Sequence, residues 1–437
     1  MAISFNEIDF LVARFGNKIV NEQVNLEAPT VGKGILKKEN QSGTIGIVNV
    51  KQGGISSTRF IGDSGVLPDG ASVDIQQLTY SPKALFTRLA IPRISALTVV
   101  SKQDGVNLVK EQMESVGQDL GRTLGRAIFS SADGEVLEAV TSSLASGSQT
   151  IRMDDVSGIR VGQQLTGFTP TGGGIPPGTN LALRVTAVDH NSNPLSAGVA
   201  NVTGLLVNDD GATIAVGGID FAQGAVITDA GESVTLGDTP TIQGSAADGM
   251  CALLDAASST VDAGALGTTG NYADASGSTT LSGWTGNETN AGGVTLTLDM
   301  MDSLSKKIHR KRGQPWTHLI VNANQAFSYL GLLTDTRRYM VQQKAGADAS
   351  PTNVTYEGKA VVVDENMTDT EIYFHNQKDV RLAEWRKFGP DYDGKKAAMV
   401  SDTRFEYDTQ IFGMYNLRLP RRDGLGKITN LLADLNA

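Results

Sequence analysis

Few side chains in this chain have types and spacings that could do chemistry. Cys251 is the only cysteine. The four histidines, His190, His309, His318 and His375, fall at no spacing that would let them share a metal with it or with one another. A single cysteine also excludes an intramolecular disulfide. Asp154-Asp155 and Asp209-Asp210 could each lend oxygens to calcium. Neither shows the alternating ligands of a calcium loop, so both read as solvated turns. Gly62-Asp63-Ser64-Gly65 is one residue short of a nucleophile elbow. Gly424-Leu425-Gly426-Lys427 lacks phosphate-loop spacing and reads as a turn. The sequence therefore predicts no catalytic, cofactor-binding or metal-ligating residue and no enzyme.

Charge narrows the partners. Of 437 residues, 37 are basic and 47 acidic, for a net charge of −10. Residues 148–300 hold only Arg152, Arg160 and Arg184 against 15 acids. An acidic, Gly/Ser/Thr-rich block of this kind faces water and makes a poor nucleic-acid surface. The one basic run is Lys306, Lys307, Arg310, Lys311 and Arg312. It lacks interleaved aromatics for base stacking and reads as a solvated or acid-paired helix face. No run of 18 apolar residues occurs, so no membrane span is expected. The first residues lack a basic flank and apolar core, so no signal peptide is expected either.

The elements that must position any surface follow from periodicity. Residues 1–40 mix apolar and charged residues without sustained period and read as an arm. Residues 44–61 and 72–91 are rich in β-branched residues, and Pro68-Asp69-Gly70 between them is a turn signal. Together they predict a long two-stranded excursion. Val106, Val109, Met113, Val116, Leu120, Leu124 and Ile128 recur every three or four positions and predict a spanning helix over 104–130. Gly117, Gly121 and Gly125 lie on one side of it, for close packing. A second short helix is expected over 135–144.

Residues 148–240 read as short strands, such as 183–189, 199–207, 213–216 and 233–236, between strong turns. A helical stretch over 246–258 and a Gly/Ser/Thr-rich loop over 262–293 follow. Leu298, Met301, Leu304 and Ile308 restore helical period. A strand at 317–321, a helix at 324–333, and strands at 359–363, 371–375, 380–388 and 405–419 complete the chain.

This order resembles the major capsid protein of tailed double-stranded-DNA bacteriophages, the Hong Kong 97 type. FTRLAIPRISALTVV followed by VKEQMESVGQDLGRTLGRAIF looks like the extended loop returning into the spine helix. HLIVNANQAFSYLGLL looks like part of the axial domain. YEGKAVVVDENM, EIYFHNQKDVRLAEWRKF and YDTQIFGMYNLRLPRRDGL look like the strands that return through the peripheral domain.

The resemblance implies an α+β fold. Its parts are an N-terminal arm (1–40), an extended β-hairpin loop (41–98), a peripheral domain with spine helix (99–147) and an inserted all-β domain (148–240). An axial domain (241–376) and return strands with the C-terminus (377–437) follow. It implies self-assembly into hexamers and pentamers of an icosahedral shell, in the virion, put together in the host cytoplasm. The implied partners are other copies of the chain, a separate scaffolding protein, a portal protein, packaged double-stranded DNA contacted non-specifically and, in some relatives, a decoration protein. No membrane is involved.

The tip residues Asp63, Val66, Leu67, Pro68 and Asp69 are expected to touch neighbouring subunits. Val109, Met113, Val116, Leu120 and Leu124 are expected to pack the spine helix onto the peripheral strands. No Lys, Asn and Glu match the isopeptide crosslink of some relatives, so none is expected. Alternatives are an encapsulin-type compartment, which the acidic insertion disfavours, and a Gly/Thr-rich adhesin, which the spanning helix disfavours.

Overall fold

A computed structural model describes residues 5–51, 75–80, 82–92, 102–129, 135–139, 148–151, 161, 164–168, 182–188, 202–207, 225–229, 272–274, 286–312, 316–336, 354–391, 399–400 and 406–432. The described residues begin with a helix, α1 (Phe5–Glu27), within the segment whose sequence shows no sustained period. Val12, Ile19, Val20 and Val24 are buried on it at spacings of seven, one and four, which one face of a 3.6-residue helix satisfies. Asn17, Asn21 and Asn25 lie beside that stripe, while Phe10 and Leu26 stay exposed, so apolar residues on more than one side hid it in the sequence. The short α2 (Pro29–Gly32) follows, with proline at its start, where a missing N–H costs nothing.

Strands β1 (Lys37–Asn40), β2 (Gly46–Lys51), β3 (Ile75–Tyr80) and β4 (Lys83–Pro92) precede the long helix α3 (Lys102–Phe129). β2 and β3 pair antiparallel from Gly46↔Tyr80 to Lys51↔Ile75, forming the base of a hairpin. β4 leaves that hairpin and pairs with a C-terminal strand, so the predicted excursion from residue 83 onward belongs to another sheet.

Residues 135–139 are a strand, β5 (Glu135–Ala139), where a helix was expected. It lies in an antiparallel sheet with β6 (Ser148–Ile151), β7 (Gln164–Phe168), β8 (Ala182–Val188), β9 (Val202–Val207) and β10 (Ala225–Asp229), ordered β5-β10-β7-β8-β9-β6. A five-residue segment has too few turns to hold itself helical, and pairing with β10 decides its state. Predicted strands at 213–216 and 233–236, and the helix at 246–258, lie outside the described residues.

The expected Gly-rich loop contains two strands, β11 (Tyr272–Asp274), which adds to β3, and β12 (Glu288–Val294). β12 carries an irregularity between Asn290 and Val294. Gly292 and Gly293 have φ of 69° and 77° there, which a side chain would resist. Helix α4 (Leu298–Arg312), β13 (His318–Val321) and helix α5 (Ala323–Thr336) follow. Then come β14 (Thr355–Tyr356), β15 (Lys359–Val363), β16 (Ile372–His375), β17 (Arg381–Pro390), β18 (Met399–Val400), β19 (Glu406–Arg418) and β20 (Gly426–Leu431).

Gly424 lies in a turn, where Leu425 N donates to Arg422 O at 3.1 Å, and Gly426 then opens β20, which lies in the central sheet β12-β20-β16-β13-β15-β14. The peripheral sheet is β1-β17-β19-β18 with β4 on β19.

The central sheet is buried on both faces, by strict alternation. Leu319, Val321, Val361, Ile372 and Phe374 point toward Met301, Leu304 and Ile308 of α4 and Tyr329 of α5. Ile320, Val362 and Tyr373 point the other way, into a core shared with α1, α3, the hairpin and the peripheral strands.

Candidate functional site

The spine helix α3 buries Val109, Met113, Leu120 and Leu124, with Val116 partly covered. Its closest partner is α1. A Cβ on Gly117 would lie 2.8 Å from Gln23 Cβ and 3.1 Å from Val20 Cα, and one on Gly121 2.9 Å from Val24 Cα. The glycine row is therefore a helix–helix contact surface. Gly125, at its end, abuts the Asn366 side chain. β4, which pairs with β19 in the peripheral sheet, also touches the helix, so the helix packs on both α1 and a peripheral strand.

The segment after α1 is fastened to the central sheet by side chains from the far end of the sequence. Asp364 is fully buried and accepts hydrogen bonds from the Thr30 amide at 3.1 Å and from the Thr30 hydroxyl. Its other oxygen accepts from the Asn366 amide at 3.1 Å and side chain at 3.0 Å. Asn366 Nδ2 also donates to Glu27 O at 2.7 Å. Gln377 Nε2 donates to Gly34 O at 2.6 Å. His375 Nε2 lies 3.3 Å from Ile35 O. A carbonyl can only accept, so Nε2 carries the proton. Burial, with the neighbouring His318 adding to it, pushes His375 down to about 4.

β1 is held to the return strands by charge. Glu39 accepts from Arg418 at 2.6 Å and Arg381 at 3.2 Å. Burial alone would raise this carboxyl; the two guanidinium hydrogen bonds outweigh it and hold it below the usual range.

The residues singled out for chemistry are dispersed. His318 and His375 are cross-strand neighbours with ring centroids 6.4 Å apart. No group of three or more metal-ligating side chains exists among the described residues. Lys307 Nζ sits 3.4 Å from Glu288 O and Lys311 Nζ 3.2 Å from Gly286 O, so two of the five basic residues cap the start of β12. Lys306 and Arg310 stay exposed. Cys251, His190, the two Asp pairs, Gly62–Gly65 and the tip residues Asp63, Val66, Leu67, Pro68 and Asp69 lie outside the described residues. Among the described residues no helix is long and apolar enough to cross a membrane.

Sequence reasoning missed the fasteners Asp364, Asn366, His375 and Gln377. Each acts on a partner more than 330 residues away, and no local signal announces that.

No curated protein matches the chain. In solved structures the chain aligns with the capsid of a native GTA particle at 8% identity, over 94% of this chain and 90% of that one, with a TM-score of 0.46. It aligns with the cyanophage A-1(L) capsid at 12% identity, over 93% of each, with a TM-score of 0.48. An encapsulin complex from Synechococcus elongatus PCC 7942 aligns at 10% identity over only 34% of this chain and 54% of that one, with a TM-score of 0.25. Residues 230–431 match the family described as SU10 major capsid protein. The match spans α4, α5, the central sheet and the return strands, somewhat under half of the chain.

Proposed function

We propose that the subunit closes hexamers and pentamers, in a fold of the Hong Kong 97 type, through surfaces that a single copy leaves open. The observation that carries this is the hairpin. One face buries Val48, Val50, Leu78 and Tyr80. The other leaves Ile47 and Ile75 55% and 58% exposed, with Ile45 beside them. β2 has no neighbour on its outer edge among the described residues. An apolar face next to an open edge is an aggregation liability on a lone subunit and a contact once a neighbour covers it.

On this reading the tip, with Asp63, Val66, Leu67, Pro68 and Asp69, reaches a neighbour, and the acidic strand module faces outward. A separate scaffolding protein and a portal complete assembly in the host cytoplasm. A decoration protein is a further partner, and packaged double-stranded DNA is contacted without sequence preference. The role is structural and includes no catalysis.

Deleting residues 62–71 tests the reading. The variant should give folded subunits that make no stable shells, seen by negative-stain microscopy. Normal shells of normal heat stability would remove the hairpin from the assembly contacts. Shells filled with protein instead of DNA would favour a compartment.

A further inference from the structure

β13 and β16 set two histidines side by side. His318 and His375 are direct partners in the antiparallel register, so both side chains leave the same face of the central sheet. Their ring centroids lie 6.4 Å apart. His375 is fully buried, and His318 beside it is partly exposed.

Hydrogen bonds fix which nitrogen of each ring carries a proton. His375 donates from Nε2 to the Ile35 carbonyl, which leaves a bare lone pair on Nδ1. That nitrogen is buried and has no hydrogen-bond partner. Thr317 fixes the other ring. Its hydroxyl gives its single hydrogen to His375 O at 3.2 Å and accepts from the Gln377 amide at 3.0 Å. It can therefore only accept from His318 Nδ1, 2.9 Å away, so Nδ1 is protonated and the lone pair sits on Nε2. Burial pushes both imidazoles below their ordinary range, so both are neutral at pH 7.

Each ring thus has one bare nitrogen, while its other nitrogen donates to a backbone or hydroxyl oxygen. Histidines that ligate metals are held and oriented in this way. An ion about 2.0–2.1 Å from each nitrogen would put the ring centroids roughly 5–6.5 Å apart, depending on the angle at the metal. The observed separation is at the wide end of that range, and a small rotation of the His318 ring narrows it. The partial exposure of His318 gives the ion a way in. No group of three ligating side chains exists among the described residues, so water must complete the coordination. Imidazole ligands favour zinc and its neighbours over magnesium and calcium. Spacing along the chain could not announce the pair, because strand register brings it together.

We propose that His318 Nε2 and His375 Nδ1 hold a divalent transition-metal ion of the zinc class, with water in the remaining positions. The ion joins β13 to β16. Because His375 also donates to Ile35 O, the ion braces the segment after α2 as well.

Equilibrium dialysis of the chelator-treated, full-length unassembled subunit against zinc tests this. Wild type should retain a zinc ion that His318→Gln and His375→Gln each weaken at least about tenfold. Thr317→Val keeps both ligands but removes the hydroxyl that orients His318, and it should weaken zinc by about tenfold, with Thr317→Ser restoring it. His309→Gln, on the exposed face of α4, should bind like wild type. Zinc should raise the urea midpoint of wild type and not that of His318→Gln, because only the folded pair binds it. X-ray absorption at the zinc edge should show two imidazoles and no sulfur.

Zinc binding by His318→Gln equal to wild type overturns the proposal. So does a wild-type subunit that retains no zinc, or a spectrum with sulfur or fewer than two imidazoles. His318 is partly exposed, so His318→Gln decides the matter even where His375→Gln fails to fold. Loss of zinc in His309→Gln with retention in His318→Gln would place the ion on α4 and overturn the proposal as well.

Discussion

Asp364 holds Thr30 by two hydrogen bonds, one from the amide at 3.1 Å and one from the hydroxyl, across 334 residues of sequence. The carboxylate is fully buried, and its second oxygen is filled by Asn366. The N-terminal segment is thereby part of the central core.

Asp364→Asn tests that fastening. All four groups facing the carboxylate are donors, so the new amide NH2 must meet a donor whichever way it turns. The expected loss is about 1–3 kcal/mol. It should appear as a lower urea midpoint of the unassembled subunit with an unchanged m-value. Thr30→Val, which removes only the hydroxyl, should cost about 1 kcal/mol. An Asp364→Asn midpoint equal to wild type would mean that the segment is not anchored there.

His375 predicts a pH dependence. Its native pKa is pushed down to about 4, against an ordinary value of 6.5. Between these values the unfolded chain binds a proton that the native state refuses, so stability rises with pH across this window. Stability is full above pH 6.5 and falls as the pH drops toward 4, by about 3 kcal/mol in total. His375→Gln keeps a donor for Ile35 O and does not titrate. Its urea midpoint should therefore change less between pH 7 and pH 4.5 than that of wild type. Parallel curves for the two proteins would show that His375 does not control this window.

The glycine row gives a prediction of opposite sign at two positions. In a helix interior, glycine to alanine usually gains about 1 kcal/mol. At Gly121 the new methyl would meet the Val24 backbone at 2.9 Å, and backbone cannot step aside. Gly121→Ala should therefore destabilise, by about 1–3 kcal/mol. Gly331→Ala in α5 meets nothing within 4 Å and should stabilise by about 0.5–1 kcal/mol. Thermal unfolding of the unassembled subunits separates the two. Stabilisation at both sites would mean that α1 and α3 do not pack closely.

Periodicity was enough for the elements with one dominant face. The stripe from Val109 to Leu124 marks α3, Met301, Leu304 and Ile308 mark α4, and the run Lys359–Val363 is β15 from end to end. It was not enough where partners decide. α1 carries apolar residues on more than one side, with Phe10 and Leu26 left exposed, and gains its burial from α3 and β17. β20 reads locally as a glycine turn, yet it is flanked by β12 and β16. The polar fasteners leave no trace in the sequence, because an aspartate that caps a turn and one that holds a segment 334 residues away look alike. The spine residues were legible for the same reason as the helix. A contact between copies depends on shape that one chain does not encode locally.

The strand module provides the last test. A division at residue 148 cuts off β5, which pairs with β10 from Glu135↔Thr228 to Ala139↔Ala225. Without β5, β10 keeps only β7 and becomes an open edge. A fragment of residues 135–240 should therefore unfold cooperatively with β-type circular dichroism. A fragment of residues 148–240 should melt at lower temperature and aggregate more readily, because an unpaired strand edge recruits other chains. Equal melting temperatures would mean that β5 adds nothing to the module and belongs energetically to the spine. A disordered spectrum for both would mean that the sheet exists only on the intact subunit.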